Sequence, residues 1–141
     1  MNQEHELAMA LRCAYWGLHR KTDASLEAYK VSAHQYVILE LLSLYGPSKQ
    51  SELVKLASSD PNTIRAMVVT MSKQGLVQRV KHPTDGRAWQ VQMTDAAREL
   101  MPELRERTQD VRNRYVNVMD DEERARLMHL LQKFRDALED G

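Results

Sequence analysis

Five histidines stand at positions 5, 19, 34, 82 and 129, with no two of them spaced i, i+4 and without the carboxylate interleaving of a helical metal site. A single cysteine, Cys13, can form neither an internal disulfide nor a thiolate cage for zinc. No nucleophile-base motif, glycine-rich phosphate loop or catalytic carboxylate pair is present, so neither enzymatic turnover nor a cofactor is expected. What remains is the chemistry of recognition. With Ile64, Met67, Val68 and Met71 as the inner face of a helix, Asn62, Ala66, Val69 and Lys73 fall on the opposite side, with Arg65 and Thr70 at its flanks and Thr63 in its first turn. Asparagine can bond adenine through two hydrogen bonds, and arginine can read guanine or hold a phosphate. Ala66 and Val69 either approach thymine methyls or cover no base at all. A second set of cations, Arg79, Lys81, His82 and Arg87, surrounds a turn shortly after this helix.

The elements that must carry these groups are legible from pattern and punctuation. The chain has 141 residues, 43% hydrophobic and 28% charged, which fits one ordinary globular domain. Five glycines and four prolines point to helices joined by short turns and away from an all-β fold. No apolar run is long enough for a membrane span, and the first residues lack signal-peptide order, so a cytoplasmic protein is expected. Twenty basic and twenty acidic side chains cancel, but not locally. Residues 46–98 carry 8 basic and 4 acidic side chains, whereas the flanking segments are net acidic.

The first 28 residues repeat Leu7, Leu11, Ala14 and Leu18 at helical spacing, and Met9, Cys13 and Trp16 form a second apolar stripe. A helix apolar on two sides is expected to be buried on two sides, as between a domain body and a partner subunit, although a central helix of a monomeric bundle would look the same. Ser32 with Gln35 reads as a capping box for a helix bearing Tyr36, Leu39 and Leu42, ended by Gly46-Pro47. A short helix follows over 50–57, and Asp60-Pro61 opens the next, which runs to Gly75. The period then changes to two over 76–81 and 88–93, with His82-Pro83-Thr84-Asp85-Gly86-Arg87 as a turn between two strands. Thr94 caps a long helix expected to bend near Pro102, and Asp120 with Glu123 opens a last helix displaying Leu127, Leu130, Leu131, Phe134 and Leu138.

Helix, short helix, capped helix and hairpin is the element order of a winged helix-turn-helix. The sequence resembles the MarR family of bacterial transcription regulators over essentially its whole length. The resemblance is carried by Val31-Ser32-Ala33-His34-Gln35-Tyr36, Leu44-Tyr45-Gly46-Pro47, Glu52-Leu53, Thr63-Ile64, Gly75-Leu76-Val77-Gln78-Arg79, Asp85-Gly86-Arg87-Ala88 and Met93-Thr94. It implies a mainly α fold with a small β-hairpin. Residues 31–98 would form the DNA-binding winged helix, and 1–30 and 99–141 the dimerisation helices of a single domain. It also implies that Arg87 reaches the minor groove while Asp85 holds the wing in shape, and a cation on a narrow loop suits that groove. Arg79, Lys81 and His82 are assigned to phosphates. Many relatives carry arginine at the position of Ala66 and an acid at that of Val69, so their base contacts do not transfer.

The family resemblance further implies a small, often aromatic or phenolic, acid bound between the dimerisation helices and the DNA-binding body. Arg12, Tyr15, Trp16 and His19 share one sector of the first helix, and Tyr36 is expected to face them. Such a set could stack on an aromatic ring and pair its carboxylate with Arg12 or His19. One branch of the family senses peroxide through a cysteine of its first helix. Ungapped alignment through Gln35-Tyr36 places that cysteine several residues before Cys13, so a buried, inert thiol is expected here. The reading is therefore a homodimeric, ligand-responsive repressor on a pseudo-palindromic operator. A winged-helix protein-interaction module, or a constitutive DNA-binding protein without effector, are its rivals.

Overall fold

The computed structural model describes residues 2–139. Helix α1 (Gln3–Leu26) passes through a short 3-10 turn into α2 (Ala33–Tyr45), α3 (Gln50–Leu56) and α4 (Pro61–Lys73). The hairpin β1 (Val77–Lys81) and β2 (Trp89–Met93) follows, then α5 (Asp95–Arg107), α6 (Gln109–Asn117) and α7 (Asp121–Leu138).

Local chemistry accounts for these boundaries. The Ser32 hydroxyl accepts from the Gln35 amide at 3.1 Å while the Gln35 side chain accepts from the Ser32 amide at 3.2 Å, closing the capping box of α2. Thr94 accepts the Ala97 amide at the start of α5, and Asp120 and Glu123 exchange bonds at the start of α7. Gly75, at φ +77°, takes the left-handed conformation that lets the chain turn from α4 into β1 at little cost. The strands pair antiparallel from Val77 with Met93 to Lys81 with Trp89. Ser48 adds one further bridge, exchanging backbone bonds with Val91 at 3.0 and 2.8 Å. One core joins α2, α3, α4, the hairpin and α5 through Ile38, Leu39, Leu53, Ile64, Met71, Val91 and Leu104.

Three expectations are corrected. The helix after Thr94 breaks at Thr108, six residues beyond Pro102, which lies inside α5. The Thr108 hydroxyl donates to the carbonyls of Leu104 and Arg105 at 3.0 and 3.2 Å, and Arg112 Nη2 takes the Arg105 carbonyl at 2.5 Å. The Arg105 carbonyl, which would accept the next helical bond, is thus taken by side chains, a known cause of bending, while the Leu104 carbonyl keeps its helical bond from the Thr108 amide at 3.1 Å. Cys13 is exposed rather than buried, because the outer stripe of α1 has nothing packed on it in the single chain. For the same reason α1 is not buried on two sides: Leu26 is its one buried residue, and Leu7 and Leu18 are exposed.

Candidate functional site

Helix α4 begins with a double clamp. The Thr63 amide donates to Asp60 Oδ1 at 2.9 Å and the Thr63 hydroxyl to Oδ2 at 2.7 Å. These bonds, the hydroxyl's first, hold the Asp60 carboxyl below its usual range. Ile64, Val68 and Met71 anchor α4 in the core, and Asn62, Thr63, Arg65, Ala66, Val69, Thr70 and Lys73 all lie exposed on its other faces. Hydroxyl donation to Asp60 gives Thr63 a capping role of its own.

The hairpin turn is held from within. Asp85 Oδ1 accepts the Arg87 amide at 3.1 Å, and His82 Nδ1 accepts the amides of Asp85 and Thr84 at 3.1 and 3.2 Å. His82 therefore organises the turn through Nδ1. Arg87, Arg79 and Lys81 are exposed. The last two lie over the Trp89 ring, at 5.3 and 5.9 Å from its centroid.

Electrostatics distinguish this face. Among the described residues the ion pairs are His19 with Asp23, Arg98 with Asp95, Arg105 with Glu40 and Arg124 with Asp121. None uses Arg65, Lys73, Arg79, Lys81 or Arg87. The acids of the same segment are occupied elsewhere: Glu52 accepts the Lys49 amide, Asp60 caps α4, and Asp85 accepts within the turn. Local acids are spent on backbone donors, and among the described residues five cations are left without acidic partners on α4 and the hairpin.

A cavity of about 220 Å³ opens between α1, α2 and α6. Tyr15, His19 and Tyr36 line it, as do Leu18, Val37, Thr108, Val111, Arg112 and Tyr115. Arg12 and Trp16 are not among its lining residues; the Arg12 guanidinium sits over the Trp16 ring at 5.8 Å. The cation on the cavity is Arg112. Its Nη1 donates to the Thr108 hydroxyl at 2.5 Å and lies 3.5 Å from the Tyr36 hydroxyl, and its Nη2 donates to Gln109 Oε1 at 3.0 Å. No carboxylate pairs with it among the described residues. Thr108, Val111, Arg112 and Tyr115 recur at i, i+3, i+4 and i+7, the signal that could have found this wall. A larger groove of about 340 Å³ lies between α2, β2 and α5, but its arginines, Arg98 and Arg105, are each paired with an acid. Among the described residues no three histidine, cysteine or acidic side chains are grouped to hold a metal, and no helix is long and apolar enough to cross a membrane.

Residues 31–89, from the start of α2 to the first residue of β2, match the MarR family. That stretch resembles a MarR family domain. The HTH-type transcriptional repressor NicR of Pseudomonas putida is 29% identical over 112 residues, covering 79% of this chain and 71% of NicR. A mutant E. coli MarR complexed with operator DNA has the same fold, with TM-score 0.84, 21% identity, and 95% of this chain and 99% of that one covered. Bordetella bronchiseptica BpsR, whose DNA binding is regulated by 6-hydroxynicotinic acid, superposes with TM-score 0.83 at 23% identity, over 96% and 97% of the two chains. The chain thus has the winged-helix fold of the solved MarR structure, and its residues 31–89 match the MarR family.

Proposed function

We propose that this chain is a MarR-family repressor that binds a pseudo-palindromic operator as a homodimer and releases it when a small aromatic acid occupies the cavity between α1, α2 and α6. The carrying observation is the set of cations without acidic partners on α4 and the hairpin. Asn62, Arg65, Ala66, Val69, Thr70 and Lys73 then face the major groove, with Thr63 at its edge, and Arg87 enters the minor groove. Arg79 and Lys81 meet phosphates, and His82 shapes the loop that presents them. Residues 1–30 and 99–141 supply the dimer interface, which places two recognition helices roughly 34–36 Å apart on one side of the duplex.

The effector reading rests on an arginine without a carboxylate partner at the wall of a cavity bearing Tyr15, Tyr36 and Tyr115. Aromatic faces suit a ring, and a guanidinium suits a carboxylate. BpsR's regulator makes 6-hydroxynicotinic acid a reasonable first probe. Selection of binding sites from a random duplex pool tests the DNA half: the expected product is an inverted repeat with half-sites one helical turn apart. Recovery of no preferred sequence, with affinity indifferent to salt, would overturn the reading in favour of a protein-interaction module. Adding the acid to the complex tests the other half, and the expected result is release.

A further inference from the structure

Trp89 is the only Phe, Trp or Tyr of the hairpin, and it is 46% exposed. Direct cross-strand partners share a face of the sheet, so Val77 with Met93, Arg79 with Val91 and Lys81 with Trp89 lie on one side. That face starts in the core at Val77, Met93 and Val91 and runs outward into Arg79, Lys81 and Trp89. Both cations converge on the indole within the ~6 Å range of a cation-π contact, and neither is in an ion pair among the described residues. The Ser48 bridge to Val91 draws the segment before α3 alongside β2. This brings Lys49 to the opposite wall of a notch of about 250 Å³, whose lining contains Arg79, Trp89 and Ser51 and no acidic residue. The nearby Glu52 carboxylate accepts the Lys49 amide at 3.1 Å.

A stacked guanidinium keeps its edge N–H groups free, and a long cation already lying on a ring loses less rotamer freedom when it meets an anion. We propose that this notch, between the hairpin and the start of α3, seats a backbone phosphate of duplex DNA. Lys49 and Arg79 on its lining are the contacts, with Lys81 beside it on the same indole, and Trp89 is the positioning residue that holds Arg79 and Lys81 in place. The inference rests on the DNA-binding reading above and adds a subsite to it. The notch belongs to the same unit as the recognition helix, and a phosphate contact there fixes how the unit sits on the duplex without reading sequence.

The test is binding of a fluorescently labelled, mixed-sequence 30-base-pair duplex over a range of salt, since the phosphate contribution is independent of sequence. Trp89→Leu is expected to weaken binding about tenfold at low salt, and Trp89→Phe, which keeps a ring, to stay within about twofold of the parent. Arg79→Gln and Lys49→Gln should each lower the slope of log K against log salt by about 0.9. In the Trp89→Leu, Arg79→Gln double variant the two losses should not multiply, because the indole acts through the arginine. Fully multiplicative losses would mean that Trp89 touches DNA independently of Arg79 and would overturn the positioning role. Parental affinity in Trp89→Leu, or an unchanged slope in Lys49→Gln, which does not depend on the fold of any Trp89 variant, would overturn the seat while leaving DNA binding itself in place. A parent protein with no salt-dependent affinity for the duplex would overturn both.

Discussion

Arg112 Nη1 donates to the Thr108 hydroxyl at 2.5 Å, and this contact ties the cavity's cation to the residue at the break between α5 and α6. Because Arg112 has no carboxylate partner among the described residues, Arg112→Ala is expected to weaken binding of an aromatic carboxylate by roughly 10- to 100-fold, the range for a charge-assisted hydrogen bond. Arg12→Ala, on the far side of Trp16, should change it little. Isothermal titration with 6-hydroxynicotinic acid measures both. Equal losses in the two variants would place the carboxylate elsewhere.

The wing makes a separate prediction. Asp85 holds the Arg87 amide, so the turn keeps its shape when the Arg87 side chain is removed. Arg87→Ala should therefore lower operator affinity and reduce the salt slope by about 0.9 if the side chain neutralises one phosphate. Asn62→Ala should change the ranking of operator variants by about 1–3 kcal/mol at one base pair and leave the slope nearly unaltered. Competition binding against a panel of single-base operator variants distinguishes the two.

Asp60 links pH to the stability of α4. Its carboxyl titrates below the ordinary value of 3.8 because the Thr63 hydroxyl and amide bond its charged form. The stabilisation is complete above the unfolded value and is lost as pH falls through the lower folded one. Asp60→Asn caps without titrating, so the parent should lose stability relative to this variant on acidification from about pH 5 to pH 3. Parallel thermal melts across that range would show a constant difference if the clamp were irrelevant.

No residue of α7 is buried, yet it displays Leu127, Leu130, Phe134 and Leu138. In the proposed homodimer this uncovered apolar face of α7 packs against the second copy. Light scattering at micromolar concentration should give twice the 16.3 kDa chain mass. Introducing arginine at both Leu130 and Phe134 should give a monomer whose operator affinity falls by orders of magnitude, since two half-sites are no longer joined.

The parts of this fold that could be read from sequence are those set by short-range chemistry. Ser32 with Gln35, Asp60-Pro61, Thr94, and Asp120 with Glu123 each mark a helix start within three residues, and the structure uses them all. The break at Thr108 was hidden because it depends on Arg112 reaching back to the Arg105 carbonyl, a contact between side chain and backbone seven residues apart. Pro102 is the stronger local signal, but it sits on the exposed side of α5. Tyr15, His19 and Tyr36 were found as cavity residues because they share helix sectors, whereas Arg112 arrives from an element 76 residues after Tyr36. Cys13 was misplaced for the opposite reason: an apolar stripe predicts burial only when something covers it, and in one chain nothing does.

The proposed coupling between effector and operator would run through Gln74, the residue that ends α4. Its Nε2 donates to the carbonyl of Lys30, between α1 and α2, at 3.0 Å, and its Oε1 accepts from Gln35 of the α2 capping box at 2.9 Å. The cavity walls formed by α1 and α2 are thus tied to the end of the recognition helix. A ligand shifts DNA affinity only by its differential affinity for the two arrangements, typically 5- to 150-fold, and operator must weaken ligand binding by the same factor. Gln74→Ala should reduce that factor while leaving each separate affinity within about threefold, because the side chain lies on the protein's own framework and not on the cavity lining. Titrating the acid with and without saturating operator, for parent and variant, gives the factor from both directions. An undiminished factor in Gln74→Ala would show that the signal passes through α5 and the dimer helices instead.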